Sequence, residues 1–293
     1  MAKYNLIFNI FPSTKETKTY CSKFILFIGL AVLIGDCSNH RDYPFVDGYL
    51  TKAVDYSGDT IWDRYVEVFD INGLPMIPAV KLNGNEVVMD QYDYIQCIYN
   101  DTVRFSTNMQ YELTVDHYYG QANAKIWMPG DFSMISPGPT YIYNRDSVLY
   151  VTWHKSAGAS SYWFSVYLDY DFEDSLGEWD NYEFYHDTIL RDTFVRYAPN
   201  RFFPNNVVTI LEGEAQAGSW AMDGPNRWVQ GTKGNIRGQG LGYFSATYQP
   251  KELDFYVGAP PKTPKLKNSG KVWDRLKAKV KEIQKNPWLI FNK

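Results

Sequence analysis

Short runs of alternating apolar and polar residues recur along most of the chain, and turn residues separate them. The runs are rich in Tyr, Val, Thr and Trp, which favour a pleated, half-buried surface. The separators contain Gly and Asn, which tolerate the positive φ of hairpin turns. In the first half the predicted strands are residues 49–56, 64–70, 79–82, 92–99, 102–106, 111–118 and 122–128. Seven strands at this spacing predict a β-sandwich.

Two prolines after the seventh strand predict a domain boundary. Pro137 and Pro139 cannot donate to a central strand or extend a helix, so we expect one β-sandwich domain over residues 47–137 and a second over residues 138–257. Strands of the second domain are predicted at residues 147–153, 162–168, 187–189, 193–197, 207–214, 243–248 and 253–257.

The first two strands of the second domain are joined by small residues at 156–159. Trp153 ends one strand and Tyr162 begins the next, an arrangement that resembles the B and C strands of fibronectin type III and other immunoglobulin-like sandwiches. This resemblance implies that the ring of Trp153 fills the core.

An apolar run at residues 24–35 is too short to cross a membrane comfortably, but it fits the apolar core of a secretory signal. The preceding residues carry four lysines against one glutamate, which retains them on the cytoplasmic side during translocation. We therefore expect an exported protein, with a leader or anchor helix within residues 1–37 and a polar tether at 38–46.

Residues 33–37, Leu-Ile-Gly-Asp-Cys, resemble the lipobox of bacterial lipoproteins, which implies cleavage before Cys37 and its lipidation. Asp36 stands where lipoboxes carry Gly, Ala or Ser. Two alternatives remain: an uncleaved anchor, or cleavage nearby that leaves Cys37 unmodified. Membrane anchoring in the bacterial envelope is the favoured interpretation, and the pattern does not decide between the periplasmic and the surface side.

The C-terminal end differs in kind from the body. A Pro-rich linker at residues 258–270 precedes a basic amphipathic helix and an apolar end at residues 271–293. This helix has three interpretations: it lies on an anionic membrane, docks on the body of the protein, or contacts a partner protein. The predicted membrane or partner contacts are Trp273, Arg275, Lys277, Lys279 and Lys281.

The net charge of −4 conceals a strong asymmetry. From Gly258 onward the tail holds ten Lys or Arg against two acids, a charge of +8, and the leader to Asp36 carries +2. These charges leave −14 for the body from Cys37 to Val257. An acidic body disfavours nucleic acid as a partner.

Acidic residues between 169 and 180 are the candidate metal ligands. Their oxygen atoms are of the type that Ca²⁺ requires, and their spacing approaches positions 1, 3, 5 and 12 of an EF-hand loop. Position 6 is Asp174 instead of Gly and strands flank the segment, so a solvated acidic loop is favoured over a Ca²⁺ site, and no other cofactor is indicated. The candidate ligands are Asp169, Asp171, Glu173 and Asp180.

No catalytic residue is predicted. The four histidines are isolated, and neither a Gly-x-Ser-x-Gly nor a His-Glu-x-x-His motif occurs. Gly238, Gly240 and Gly242 are similar to a phosphate-binding loop, but no helix follows them, so they indicate a tight loop before a strand. Cys97 alternates with apolar neighbours, which predicts a buried strand cysteine. We therefore expect a protein that is not an enzyme.

Aromatic residues of the second domain are the candidate ligand-binding groups, because exposed rings often mark surfaces that bind sugars or peptides. At strand positions such rings more often belong to the core. Trp179 and Trp228 stand beside turn residues and are the favoured ligand-binding candidates. The full set considered is Trp163, Trp179, Tyr182, Tyr185, Trp220 and Trp228.

Two stretches of the chain resemble a family of uncharacterised Gram-negative envelope lipoproteins. They are Tyr-Glu-Leu-Thr-Val at residues 111–115, within 79–128, and the Asn-Ile-Arg-Gly and Gly-Leu-Gly-Tyr-Phe-Ser-Ala segments within 235–246. The resemblance implies an envelope lipoprotein with an immunoglobulin-like first unit and a fibronectin-type-III-like second unit, and it implies no catalytic residues.

These observations predict an all-β protein with two β-sandwich domains and a helix at each end. The expected function is non-catalytic binding or a structural role in the cell envelope. The alternative is a carbohydrate-binding or carbohydrate-processing accessory protein. Expected partners are the membrane, through the N-terminal anchor, and an envelope protein or glycan.

Overall fold

Strands are the only regular secondary structure in the residues that the structure describes. The structure is a computed structural model that describes residues 43–55, 57–70, 77–93, 96–225 and 232–259. The predicted leader helix and the C-terminal helix lie outside these residues. The all-β prediction is confirmed. The strands within the described ranges are β1 (Phe45–Val54), β2 (Thr60–Phe69), β3 (Ala79–Leu82), β4 (Asn85–Glu86), β5 (Gln91–Asp93), β6 (Gln96–Asp101), β7 (Met109–His117), β8 (Gly120–Met128), β9 (Met134–Ser136), β10 (Ile142–Tyr143), β11 (Leu149–Trp153), β12 (Ser161–Asp174), β13 (Trp179–Leu190), β14 (Phe194–Tyr197), β15 (Val207–Asp223), β16 (Arg237–Gly238), β17 (Leu241–Gln249) and β18 (Leu253–Val257).

Three sheets organise these strands. Sheet A has ten strands in the order β10-β18-β15-β17-β1-β2-β6-β5, and β12 and β13 extend it because β12 pairs with β15 and β13 with β12. Sheet B has the order β16-β8-β7-β3-β4, and sheet C the order β14-β11-β9.

Strict alternation of buried residues defines the hairpin of β7 and β8. Tyr111, Leu113 and Val115 on β7 are buried, as are the facing residues on β8, while the residues between them are accessible. This period of two is that of a strand with one face on a core. The hairpin predicted at residues 111–118 and 122–128 is therefore confirmed.

Tertiary pairing alters several other predicted strands. Residues 102–106 were expected to form a strand but lie outside the strands. The strand predicted at residues 162–168 continues as β12 through an acidic stretch to Asp174. The strand predicted at residues 207–214 continues as β15 for nine further residues. Each extension pairs with the predicted part of the other strand: residues 169–174 pair with residues 207–214, and residues 215–222 pair with residues 161–168. This pairing overrides weak local propensity.

Sheets B and C pack on the same face of sheet A. Leu113 of sheet B faces Gly48 of sheet A, where an added Cβ would lie 3.3 Å from the Leu113 Cδ2 atom and 3.0 Å from the Phe244 Cδ2 atom. Trp153 of sheet C stacks on Phe164 of sheet A, with ring centroids 5.7 Å apart. Residues from all three sheets join one hydrophobic cluster. The arrangement is a β-sandwich with one large sheet and two smaller ones.

Two predictions about single core residues are confirmed. Trp153 is buried in the cluster that unites the sheets. Cys97 is buried on β6, and burial raises the pKa of its thiol, which disfavours the reactive thiolate. Both residues stabilise the fold through packing.

Strand β17 connects the two segments that were predicted as separate domains. It pairs in parallel with β1 over nine positions, from Phe45 with Leu241 to Ala53 with Gln249, and antiparallel with the end of β15. Sheet A therefore continues across the predicted boundary at residues 137 and 138. A single compact unit begins at Pro44 and includes both segments.

A glycine-rich segment leads from sheet B into β17. β16 pairs with β8 of sheet B, and three residues after Gly238 the chain enters β17 of sheet A. The side chain of Asn235 supports this crossing, since its Nδ2 donates to the Phe244 carbonyl at 2.8 Å and its Oδ1 accepts from the Phe244 N–H at 2.8 Å. The side-chain amide thus binds both backbone groups of one β17 residue.

The crossing leaves no space for side chains at two glycines. A Cβ on Gly240 would lie 2.5 Å from the Ala122 Cβ, and a Cβ on Gly242 would lie 1.9 Å from the Val46 carbonyl oxygen. Gly242 also has a φ of +126°, which residues with a side chain rarely adopt. The expected tight loop before the strand at Tyr243 is confirmed.

We predict that Gly242→Ala destabilises the protein by about 3 kcal/mol or more, because it adds a steric clash to an unfavourable φ. Gly58→Ala is the matched control, since Gly58 has a φ of +91° but no atom within 4 Å of an added Cβ. That control should lose only about 1–2 kcal/mol. Urea unfolding measures the loss of stability in both variants. Equal losses would show that the close approach of the Val46 carbonyl of β1 is unimportant.

Candidate functional site

The long hairpin of β12 and β13 contains the favoured ligand-binding and metal-binding candidates that the structure describes. Trp179, Asp169, Asp171, Glu173 and Asp180 lie in its two strands. The other candidates are outside the described residues, so nothing is added about their positions. These are Cys37, Trp228, Trp273, Arg275, Lys277, Lys279 and Lys281.

The tip of this hairpin is held by one carboxylate. The Asp174 Oδ1 atom accepts hydrogen bonds from the N–H groups of Leu176 at 2.8 Å and Glu178 at 2.9 Å. The backbone N–H of Asp174 also donates to the Glu178 carbonyl at 2.9 Å. Such side-chain bonds to nearby N–H groups stabilise a tight turn. Asp174, at the position where an EF-hand needs glycine, therefore shapes the turn.

The tip presents two large apolar side chains to solvent. Trp179 is 74% exposed and Leu176 is 80% exposed. In contrast, Trp163 and Trp220 are buried, and Tyr182 and Tyr185 are partly buried. The described members of the aromatic set therefore do not assemble into one platform, and Trp179 is the exposed one among them.

The candidate metal ligands do not share one side of the hairpin. Asp169, Asp171 and Glu173 alternate along β12 and lie on one face. Asp180 pairs with Phe172, so it lies on the opposite face. Within the described part of the chain, no group of three or more His, Cys, Asp or Glu is arranged to hold a metal ion. The segment from 169 to 174 is strand, and the predicted acidic loop is limited to the residues of the tip.

Asn181 connects two of these carboxylates. Its Nδ2 donates to Asp169 Oδ1 at 3.0 Å and to Asp171 Oδ1 at 2.9 Å. A neutral amide of β13 thus lies beside two acids of β12, and it gives each of them a hydrogen bond without adding positive charge.

A second exposed aromatic feature lies on sheet C and was missed by the sequence reasoning. The rings of Tyr150 and Phe194 are 5.8 Å apart and both are about half exposed. The alternation of Leu149, Tyr150 and Val151 would have placed Tyr150 on the outer face. The contact between Tyr150 and Phe194 depends on the pairing of β11 with β14, which the sequence pattern does not show.

An aromatic cluster on the inner side anchors β13. The His186 ring lies 5.5 Å from Tyr197 and 6.2 Å from Phe202, measured between ring centroids. Burial, with a smaller contribution from the Arg201 charge, lowers the pKa of His186, and Asp187 acts in the opposite direction. The folded protein therefore favours the uncharged imidazole.

Comparison with known proteins gives only a distant structural similarity. No family model matches the sequence, and no curated protein matches it. Among solved structures the chain is similar to the fibronectin(III)-like modules of Clostridium thermocellum CbhA, with 7% identity and a TM-score of 0.27. This match covers 74% of the present chain and 94% of the module chain. In the described residues no helix has the length and apolar character to cross a membrane.

We predict that His186→Phe reduces the loss of stability on acidification. As pH falls below about 6.5, the unfolded state binds a proton at His186 before the folded state does, so the free energy of unfolding decreases until the lowered folded pKa is reached. Urea unfolding between pH 7.5 and 5 measures this slope. His117, whose pKa burial also lowers, is present in both proteins, so the difference reports on His186. Parallel curves would contradict the assignment.

Proposed function

We propose that this chain is an exported protein, anchored by its N-terminal segment in the bacterial cell envelope, where it acts by binding or as a structural element. The apolar run at residues 24–35, which is followed by Cys37, supports export and lipid anchoring. The resemblance of residues 79–128 and 235–246 to Gram-negative envelope lipoproteins supports the same compartment. Immunoglobulin-like and fibronectin-type-III-like units and a helix at each end belong to this proposal.

The observation that carries the binding role is the exposed apolar pair at the tip of the β12–β13 hairpin. Leu176 and Trp179 lie beside a turn that the Asp174 carboxylate holds in place. An apolar side chain that stays exposed to water does not stabilise the fold. An aromatic side chain that is held in place before binding can contribute strongly to the binding free energy. The pair therefore fits a contact with a partner in the envelope.

Ser133 and His154 form an exposed pair of polar side chains. Ser133 Oγ lies 2.9 Å from His154 Nδ1, an arrangement that a hydrolase would complete with a group that orients the imidazole. Among the hydrogen bonds of the described residues, no carboxylate binds the His154 ring. The Ser133 carbonyl instead accepts from the His154 N–H at 3.0 Å, so the two residues are neighbours through backbone pairing.

Carbohydrate binding is the second candidate function. Trp179 pairs across the hairpin with Glu173, so an exposed ring stands beside a carboxylate. Sugar sites combine an aromatic face with hydrogen-bonding groups in this way.

We predict that Trp179→Ala weakens partner binding at least five-fold. A photoreactive residue at position 176 should give a specific adduct in cells, and Trp179→Ala should reduce its yield. Position 118 is the matched control, since Tyr118 is 91% exposed at a different turn. A glycan array with the same variants separates the two functions: glycan binding lost with Trp179→Ala supports the carbohydrate alternative. If position 176 gives no adduct and no glycan binds, the hairpin tip is not the binding site.

We also predict that mass spectrometry of the mature protein finds a lipidated N-terminal Cys37. Cys37→Ala should abolish this form. Cys21→Ala is the control, because Cys21 precedes the apolar run and should be removed with the leader. An intact leader, or a cleaved and unmodified N-terminus, would contradict lipidation and correspond to the other two modes of export.

A further inference from the structure

The outer face of sheet A carries a cluster of aromatic side chains. Phe164, Val166 and Leu168 on β12 point into the core, so the alternate residues Trp163 and Tyr167 lie on the opposite face. They pack with neighbours from β15 and β13, which are Trp220, Met222 and Tyr185.

These outer rings are nevertheless buried. The ring centroids of Trp163 and Trp220 are 5.5 Å apart, and the two side chains are 5% and 2% exposed. Large apolar groups on a solvent-facing sheet would normally remain accessible. The outer face around them is therefore a covered face.

Carboxylates surround this cluster on the same three strands. Asp169 pairs with both Glu183 and Glu214, and like charges at facing positions are destabilising unless cations offset them. The sequences of β12, β13 and β15 contain no Lys or Arg, so positive charge comes from outside these strands. We name the acidic face after its six carboxylate residues, which are Asp169, Asp171, Glu183, Asp187, Glu212 and Glu214.

Two buried polar atoms on this face require hydrogen-bond partners. Gln216 is 2% exposed, and its Nε2 donates to Asp254 Oδ1 at 3.0 Å. Among the described residues, no group binds the Gln216 Oε1 atom or the Trp220 Nε1 atom, although both are buried. A buried polar atom without a partner destabilises the folded protein. The covering element should therefore offer a donor and an acceptor as well as an apolar surface.

We propose that the C-terminal basic segment of the same chain, residues 271–285, docks on the acidic face. The segment has the two properties that the face requires. Val272, Leu276 and Val280 recur at helical spacing and match the aromatic cluster, while lysines and Arg275 on the other side of the predicted helix match the carboxylates. The tail charge of +8 opposes the −14 of the body.

The path of the chain allows this docking. The Gly213 N–H donates to the Ala259 carbonyl at 3.2 Å, so the last described residue lies beside β15 between Glu212 and Glu214. Twelve further residues lead to residue 271, and an extended chain of that length spans about 40 Å. The distance along β15 from Gly213 to Trp220 is about 23 Å. Residue 271 can therefore reach any part of the face.

Docking would explain why an acidic protein carries a basic end. The lysines would bind the body of the protein. Anionic lipid would compete for the same lysine side chains. The docked segment would also cover Trp163 and Trp220. This inference concerns a different surface from the hairpin tip and stands independently of the proposed function.

Carbodiimide cross-linking of the mature exported protein, followed by peptide mapping, tests the proposal. We expect cross-links within one molecule from Lys277 and Lys281 to carboxylates of the acidic face. The double variant Lys277→Glu and Lys281→Glu should lose them at least five-fold. Restoring opposite charge with Glu183→Lys should allow links between position 183 and the new glutamates. Mixing ¹⁴N- and ¹⁵N-labelled protein identifies links that form between molecules.

The control variant is Lys265→Glu with Lys267→Glu, which makes the same charge change in the Pro-rich linker. It should retain the cross-links of Lys277 and Lys281. Links only between molecules, or no links to the acidic face, would each overturn the proposal. Binding to vesicles that contain phosphatidylglycerol is the second measurement. If the protein binds them strongly, the double variant Lys277→Glu and Lys281→Glu loses this binding, and no links to the acidic face form, then the segment contacts the membrane instead.

Discussion

The parallel pairing of β17 with β1 is the contact on which the architecture depends. It joins residues that are 196 positions apart in sequence and makes sheet A continuous between β2 on one side and β15 on the other. The pairing requires the chain to leave sheet B and enter sheet A at close range, which Gly240 and Gly242 permit because neither has a side chain. Without this crossing, sheets B and C would cover separate sheets with separate cores.

Strand alternation gives sheet A two faces with different chemistry. On β12, one set of alternate residues joins the shared hydrophobic cluster, and the other set begins with tryptophan and continues with aspartates. The core face stabilises the fold. The outer face combines buried rings with carboxylates, which is typical of a surface that receives another element, and the tip beyond it exposes Trp179.

Local patterns predicted a large part of the fold. The β7–β8 hairpin, the burial of Cys97, and β18 at residues 253–257 follow from alternation and turn residues within short stretches. The burial of Trp153 was implied by the resemblance to fibronectin type III strands. The candidate site residues were predicted less completely than the strands. Trp179 is exposed beside a turn, as its neighbours indicated, whereas the spacing of the four acidic residues gave no information on which face each would occupy. Asp180 is separated from the others because the hairpin register pairs it with Phe172.

The sequence by itself determined that the chain forms strands, where most of them begin, and that charge is divided between an acidic body and a basic tail. Only the tertiary structure decided that a late strand returns beside the first one, because pairing between distant segments leaves no periodic signal in either of them. It also decided which tryptophans are covered. Trp163 and Trp179 both occur among aromatic and polar neighbours, but one faces β15 within the sheet and the other stands at the end of a hairpin.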